Sequence, residues 1–301
     1  MRFSKKLWLG QPDPFARLRR IESLDVDTQF REITALFYQD FQSIMLPSSF
    51  SNFMMTFAAP RISRILASTG ELEHRAAKRV VDMSLLSSAV LEHGLGADLG
   101  RAAARRVNHM HRQYDIHEDD YVVVSSDAVV ISIALAENYG WRPVTDKERE
   151  GLRRFHSQMG QAFGSRRPLP GTMKEVRQFW SDYMDRELRF EPQNRRLARA
   201  VLAYYGTMFP KGLRTIFRFV LMADVDPRIA RACGMPVANA PTRWIATRVM
   251  KLLGRLDPVP DGRKDGIAAL AKTVYPNGWE VNELGTHIQA KVVQRSEPAR
   301  A

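Results

Sequence analysis

The chain has 301 residues and a single cysteine, Cys233. An internal disulfide framework is therefore excluded, and a reducing compartment is the simpler setting. In IARACGMP that cysteine reads as a small buried residue rather than a nucleophile. No stretch reaches the roughly 18–20 apolar residues that a membrane-spanning helix needs. The nearest, YVVVSSDAVVISIALAENYG and TIFRFVLMA, are interrupted by polar residues or too short. The N-terminal MRFSKKLWLGQPDPFARLRR is basic but lacks the apolar core and small-residue cleavage site of a signal peptide. These absences lead us to expect a cytoplasmic chain, soluble or held at a membrane from its surface.

Several chemistries are also missing. There is no glycine-rich phosphate loop, dinucleotide fingerprint or GxSxG elbow, and no HExxH or CxxC spacing. Paired ExxH motifs of a di-iron carboxylate bundle are absent as well. Ordinary hydrolase and transferase readings start without support. Zinc-finger and RNA-recognition signatures are lacking too, so nothing specific favours nucleic acid.

What is present begins with charge. Lys and Arg number 45 against 33 Asp and Glu, a net charge of +12 scattered along the sequence. Such an excess favours anionic surfaces, including acidic lipid headgroups. The segment FARLRRIESL reads as a short basic amphipathic helix, either docked on the body or resting on headgroups. Hydrophobic content of 45% is ample for a large core.

Period-two alternation is not found, whereas helical spacing recurs throughout. Phe30, Ile33, Leu36, Phe37 and Phe41 define one helix from about 27, with Asp27 as its expected cap. Phe50, Phe53, Met54, Met55 and Phe57 form either core or the lining of a lipid-like pocket. Residues 71–93 read as one helix closed by Gly94, with a face of Ala76, Arg79, Val80, Met83, Ser87 and Val90. Its small and unbranched side chains would admit a large group. The β-branched run at 121–141 is expected to turn helical at Asp127. Thr145 with Glu148, and Thr172 with Glu175, are capping boxes. Further helices are expected at about 192–206, 210–223, 226–233 and 240–254. The fold class is thus all-α, in a single multi-helix domain. We divide it into a basic N-terminal segment (1–26), a helical domain (27–278) and a loose polar tail (279–301).

One stretch carries the candidate chemistry. In RAAARRVNHMHRQYDIHEDDY, Val107, Met110, His111 and Tyr114 fall at i, i+3, i+4 and i+7 and share a helix face. An imidazole in an apolar stripe is either a core histidine with a hydrogen-bond partner or an axial ligand to a buried metal or haem. His109 diverges from His111 by about 200° and cannot share a metal with it.

Four segments in order add a resemblance: KRVVDMSLL, GLGADLGRAAARRVNHMHRQYDI, ENYGWRPVTDKERE and YMDRELRFEPQNRRLA. Together they resemble the MpaB/rubber-oxygenase family, in its MpaB-like branch, over about residues 72–235. The resemblance implies a globin-reminiscent helical bundle that binds haem b and uses dioxygen on an apolar, isoprenoid- or lipid-like substrate, with oxidative cleavage of a C=C bond as the reaction. It implies His111 as the ligand to iron, and Arg79 as the arginine of an R-x-x-x-T pattern beside the cofactor. Arg142 is assigned as a propionate partner, and Tyr114 or Asn108 as groups supporting the ligand. Met83 stands where the family has threonine, which removes a hydroxyl. The competing reading is a catalytically silent protein of the same fold that binds lipid or an anionic membrane surface.

Overall fold

A computed structural model describes residues 13–257 and 266–286. Among the described residues there are fifteen α-helices, three short 3-10 turns and no strand. The all-α expectation is met. No described helix is long and apolar enough to cross a membrane.

The first helix, α1 (Ala16–Ser23), is short and docked: Ile21 and the following Leu24 are buried on α2 (Phe30–Asp40). Its arginines are engaged, Arg17 with Asp40, Arg19 with Asp13 and Arg20 with Glu32. The docked reading of this segment is therefore the one observed. Helix α2 begins at Phe30 without a side-chain cap, not at Asp27. The chain in front of it is folded instead by Asp25, which accepts from the Asp27 amide and the Thr28 hydroxyl.

Helix α3 (Met45–Ala58) takes Pro47 in its first turn, where a missing amide costs nothing. Phe50, Met54, Met55 and Phe57 lie wholly inside the main core, so the pocket-lining reading of this cluster is corrected. Only Phe53 is half-buried. Helix α4 (Pro60–Thr69) ends at Gly70 in the left-handed conformation. The expected single helix 71–93 is broken at Arg75 into α5 (Glu71–His74) and α6 (Ala76–His93). Helix α7 (Asp98–His111) lies along α6. Gly100 brings the two together: a Cβ there would sit 2.0 Å from the Gly94 carbonyl oxygen.

The centre of the fold is α8 (Glu118–Tyr139), in contact with α3, α9 (Asp146–Ala162) and α10 (Met173–Glu187). Its β-branched residues look strand-like because the helix is buried on nearly every side and shows no polar face. It starts nine residues before Asp127, capped by His117, with Glu118, Asp119 and Asp120 at the positive end of its dipole. Helices α9 and α10 begin with the two expected capping boxes. Then follow α11 (Pro192–Thr207), α12 (Arg214–Ala223), α13 (Pro227–Ala232), α14 (Ala240–Gly254) and α15 (Gly266–Val274). Cys233 is buried, and its thiol donates to the Met54 carbonyl.

The segment 279–286 is not loose. Leu284 is fully buried among α6, α7 and α15. Asp82 accepts from the Gly285 amide at 2.8 Å, from Lys78 Nζ at 2.6 Å and from the Tyr275 hydroxyl. Residues beyond 286 fall outside the described ones.

Two buried groups in this core set opposing pH responses. Burial pushes His156 down to about 4, and burial pushes Asp127 up to about 7 despite donors from Trp180 and Asn52. Neutral His156 favours the folded state above 6.5, and that contribution is lost as pH falls toward 4. Protonated Asp127 favours it below 3.8, and that contribution is lost as pH rises toward 7. Each is worth on the order of 3 kcal/mol. We expect Asp127→Asn to be destabilised relative to the parent chain on acidification through this window, and His156→Phe to be stabilised. Urea midpoints at the two ends of the window check both signs.

Candidate functional site

Helix α7 ends at His111, where its last turn meets the C-terminus of α9. Gly164, with φ +124°, turns the chain out of that helix. The Phe163 carbonyl just before it is one of the acceptors that a helix end leaves open. His111 Nδ1 lies 2.8 Å from this oxygen. A carbonyl can only accept, so Nδ1 carries the proton and, in the neutral ring, Nε2 carries the lone pair. Nε2 has no hydrogen-bond partner among the described residues. Tyr121, in the first turn of α8, stands edge-on to the imidazole at 5.5 Å and fixes its plane.

Burial pushes His111 below its usual 6.5, the Phe163 carbonyl pulls it back up, and Arg79 pushes it down again. The ring is therefore neutral at pH 7. Arg79 comes from α6, and it is the anomaly of the region. Burial lowers its guanidinium, while Asp82, Glu71 and Tyr114 act to raise it. None of these supplies it with a hydrogen bond, and Nη1 is buried without a partner. The neighbouring carboxylates are already engaged, Asp82 by Lys78, Tyr275 and Gly285, and Glu71 by Arg75. A guanidinium N–H buried without an acceptor costs on the order of 1–3 kcal/mol. Such a group in a native fold calls for an explanation.

Half-buried residues mark the less tightly packed sides of three helices. They recur at helical spacing on three otherwise buried helices: Ser49, Asn52, Phe53 and Thr56 on α3, Tyr121, Val124, Ser125 and Ala128 on α8, and Ala76, Arg79, Met83 and Ser87 on α6. Direct packing of α6 on α3 or α8 is slight among the described residues. The result is a seam between helices lined mainly by small side chains. Two better-defined cavities, of about 220 and 250 Å³, lie elsewhere and touch neither His111 nor Arg79. The seam is thus no preformed chamber.

The remaining sequence candidates divide. Met83 lies one turn beyond Arg79, half-buried and outside every core cluster, so it borders the seam. The hydroxyl missing there is not replaced on that turn; Ser84 donates back to Val80, and Ser87 is one turn further on. Tyr114 is placed near Arg79, where burial raises its hydroxyl and the guanidinium lowers it. Asn108 lines the smaller cavity with Arg101, Arg105 and Arg112. It supports the site only through a long 3.5 Å contact to the Ala162 carbonyl, next to Phe163.

Arg142 is a correction. Its guanidinium donates to Asp40 from Nε and Nη2, to Glu148 from Nη1 and Nη2, and to the Pro143 carbonyl from Nη1. Every N–H is used. No donor remains for a propionate, and the residue is a structural node joining α2 to α9. Sequence reasoning missed Tyr121 and the Phe163 carbonyl. The glycine at 164, ending a helix, was the available signal for the second.

Among the described residues, no group of three His, Cys, Asp or Glu side chains is placed to cage a metal ion. His111 is a lone nitrogen donor beside an unmatched cation. These two side chains are the ones in this region that could hold a cofactor.

Comparison with known proteins completes the picture. The chain is 24% identical over 245 residues to the ER-bound oxygenase mpaB' of Penicillium brevicompactum. The alignment covers 76% of this chain and 56% of that relative, so the chain spans little more than half its length. A family model described as the ER-bound oxygenase mpaB/B'/rubber oxygenase catalytic domain matches residues 37–255, a wider span than the four sequence segments. The match takes in α3 through α14, with both His111 and Arg79. The chain therefore belongs to the mpaB/rubber-oxygenase catalytic-domain family.

Proposed function

We propose that this domain is an oxygenase that binds haem b and uses dioxygen on an apolar, isoprenoid- or lipid-like substrate, with C=C cleavage as the reaction. One observation carries the reading: an imidazole whose protonated Nδ1 leaves the Nε2 lone pair free lies near an arginine whose Nη1 is buried without an acceptor. His111 would hold the iron, and Arg79 would meet a propionate or another polar oxygen. When bound, haem b supplies the redox chemistry on dioxygen.

The chain's own residues do the rest. The Phe163 carbonyl fixes the tautomer of His111 and makes Nε2 a stronger donor, as partners of metal-bound histidines generally do. Tyr121 limits rotation of the ring. Met83, Phe53 and Val124 give an otherwise polar, partly exposed seam some apolar surface, which would suit a hydrocarbon chain. The silent lipid-binding alternative rests on Met83, where a hydroxyl is absent, and on the net charge of +12, while the basic N-terminal helix offered for it is docked with its arginines paired.

Titrating haemin into the purified protein tests the proposal. The expected result is a saturable Soret band with one haem per chain, followed by oxygen uptake on adding an unsaturated isoprenoid. A spectrum no different from free haemin overturns it. Arg79→Leu supplies a second measurement. Removing an unmatched buried charge should raise the urea midpoint of the haem-free protein, by on the order of 1–3 kcal/mol in stability. Haem affinity should fall about tenfold, as expected for one lost charge-assisted hydrogen bond. A purely structural arginine would lower stability instead.

A further inference from the structure

We propose that the paired helices α12 and α14 form a docking face for an anionic lipid bilayer. Ten large apolar side chains are exposed among the described residues. Six belong to these helices or the turn before α12: Leu213, Ile216, Phe219, Trp244, Ile245 and Leu252. The two helices pack on each other through their opposite sides, where Val220, Ala246 and Met250 join the core. Phe219 is 57% exposed and Trp244 is 62% exposed. So many exposed aromatic and aliphatic side chains on two packed helices mark an interaction site.

The charge around this surface names the partner. Residues 208–223 and 235–256 contain seven Lys or Arg and no Asp or Glu. Lys211, Arg243, Arg248, Lys251 and Arg255 are exposed there, and the Arg248 guanidinium lies over the Trp244 ring at 5.1 Å. A second copy of the chain would set this unbalanced positive charge against itself. A nucleic acid would meet the cations but leave the six apolar side chains without a partner. A bilayer with acidic headgroups satisfies both, taking Trp, Phe and Leu into the acyl boundary while Lys and Arg extend to the phosphates. Attachment is from the surface, since no described helix crosses a membrane. The face differs from α1, whose arginines are already paired, and the inference stands independently of the haem reading.

Co-sedimentation of the full chain with phosphatidylcholine vesicles, with and without about 30% phosphatidylserine, tests it. We expect binding to the anionic vesicles that weakens with salt, and little to the neutral ones. The double variant Phe219→Ser with Trp244→Ser should lower binding about tenfold or more at any salt concentration. Arg248→Gln with Lys251→Gln should lower it chiefly at low salt. Phe190→Ser, exposed elsewhere on the surface, should bind as the parent does, and all variants should retain parental helicity. Any of three results overturns the proposal: absence of binding to anionic vesicles at low salt, indifference to the double apolar variant, or a dimer in solution that this variant dissolves.

Discussion

His111→Gly is expected to abolish the haem spectrum while leaving the fold intact, and added imidazole is expected to restore it. The substitution removes one hydrogen bond, to the Phe163 carbonyl, worth about 1 kcal/mol. Helix α7 is held by other residues, namely Ala103, Val107 and Met110 in the core with α6. Far-ultraviolet circular dichroism should therefore match the parent. Among the described residues, no cluster of three His, Cys, Asp or Glu side chains offers an alternative metal site. Exogenous imidazole would occupy the vacated space and supply the missing nitrogen donor, so recovery of the Soret band separates ligation from folding. A glycine variant with an unchanged band would move the ligand elsewhere. His156 would then be the first residue to examine, since its Nδ1 is buried without a partner.

Arg142→Met should destabilise the domain by about 3–5 kcal/mol, the largest stability effect expected of any single residue named here. The Asp40 and Glu148 carboxylates it bridges are themselves fully buried. Taking away the cation leaves two negative charges facing each other in the interior. Arg17 also reaches Asp40, but it lies on the rim and leaves Glu148 unanswered. Adding Asp40→Asn and Glu148→Gln to the variant should recover much of the loss, because a neutral cluster no longer carries the desolvation cost. Urea unfolding measures both steps. Where the variant is folded, its haem affinity should equal the parent's, in contrast to Arg79→Leu. This comparison separates an arginine that closes a structural cluster from one that waits for a ligand.

The two arginines show what the sequence could and could not reveal. Both stand in segments with family character, and nothing local tells them apart. Arg142 has Glu148 six residues on, but its other partner, Asp40, is 102 residues away. Only the tertiary fold brings α2 to that place. His111 was legible because helical spacing put it in an apolar stripe. Its tautomer was not, since that depends on a carbonyl from another helix. Helix ends with side-chain caps, at Thr145 and Thr172, were legible from short-range chemistry. The start of α8 was not, because His117 is an unusual cap and the β-branched run masked the helix. Phe50, Met54 and Met55 were ambiguous for a plainer reason: core and pocket lining draw on the same side chains, and only packing decides between them.

The strap formed by residues 279–286 has a consequence for how the domain is bounded. Asp82 holds its backbone, and Arg79, one turn earlier, stands next to Asp82 on the same side of α6. The end of the described chain and the proposed ligand site thus meet on adjacent turns of a single rod. A shortened version stopping at residue 278 would leave that carboxylate short of its Gly285 donor and free α6 to roll. Expression trials aimed at the minimal working unit should therefore keep the chain through at least Thr286, beyond the point where family similarity ends.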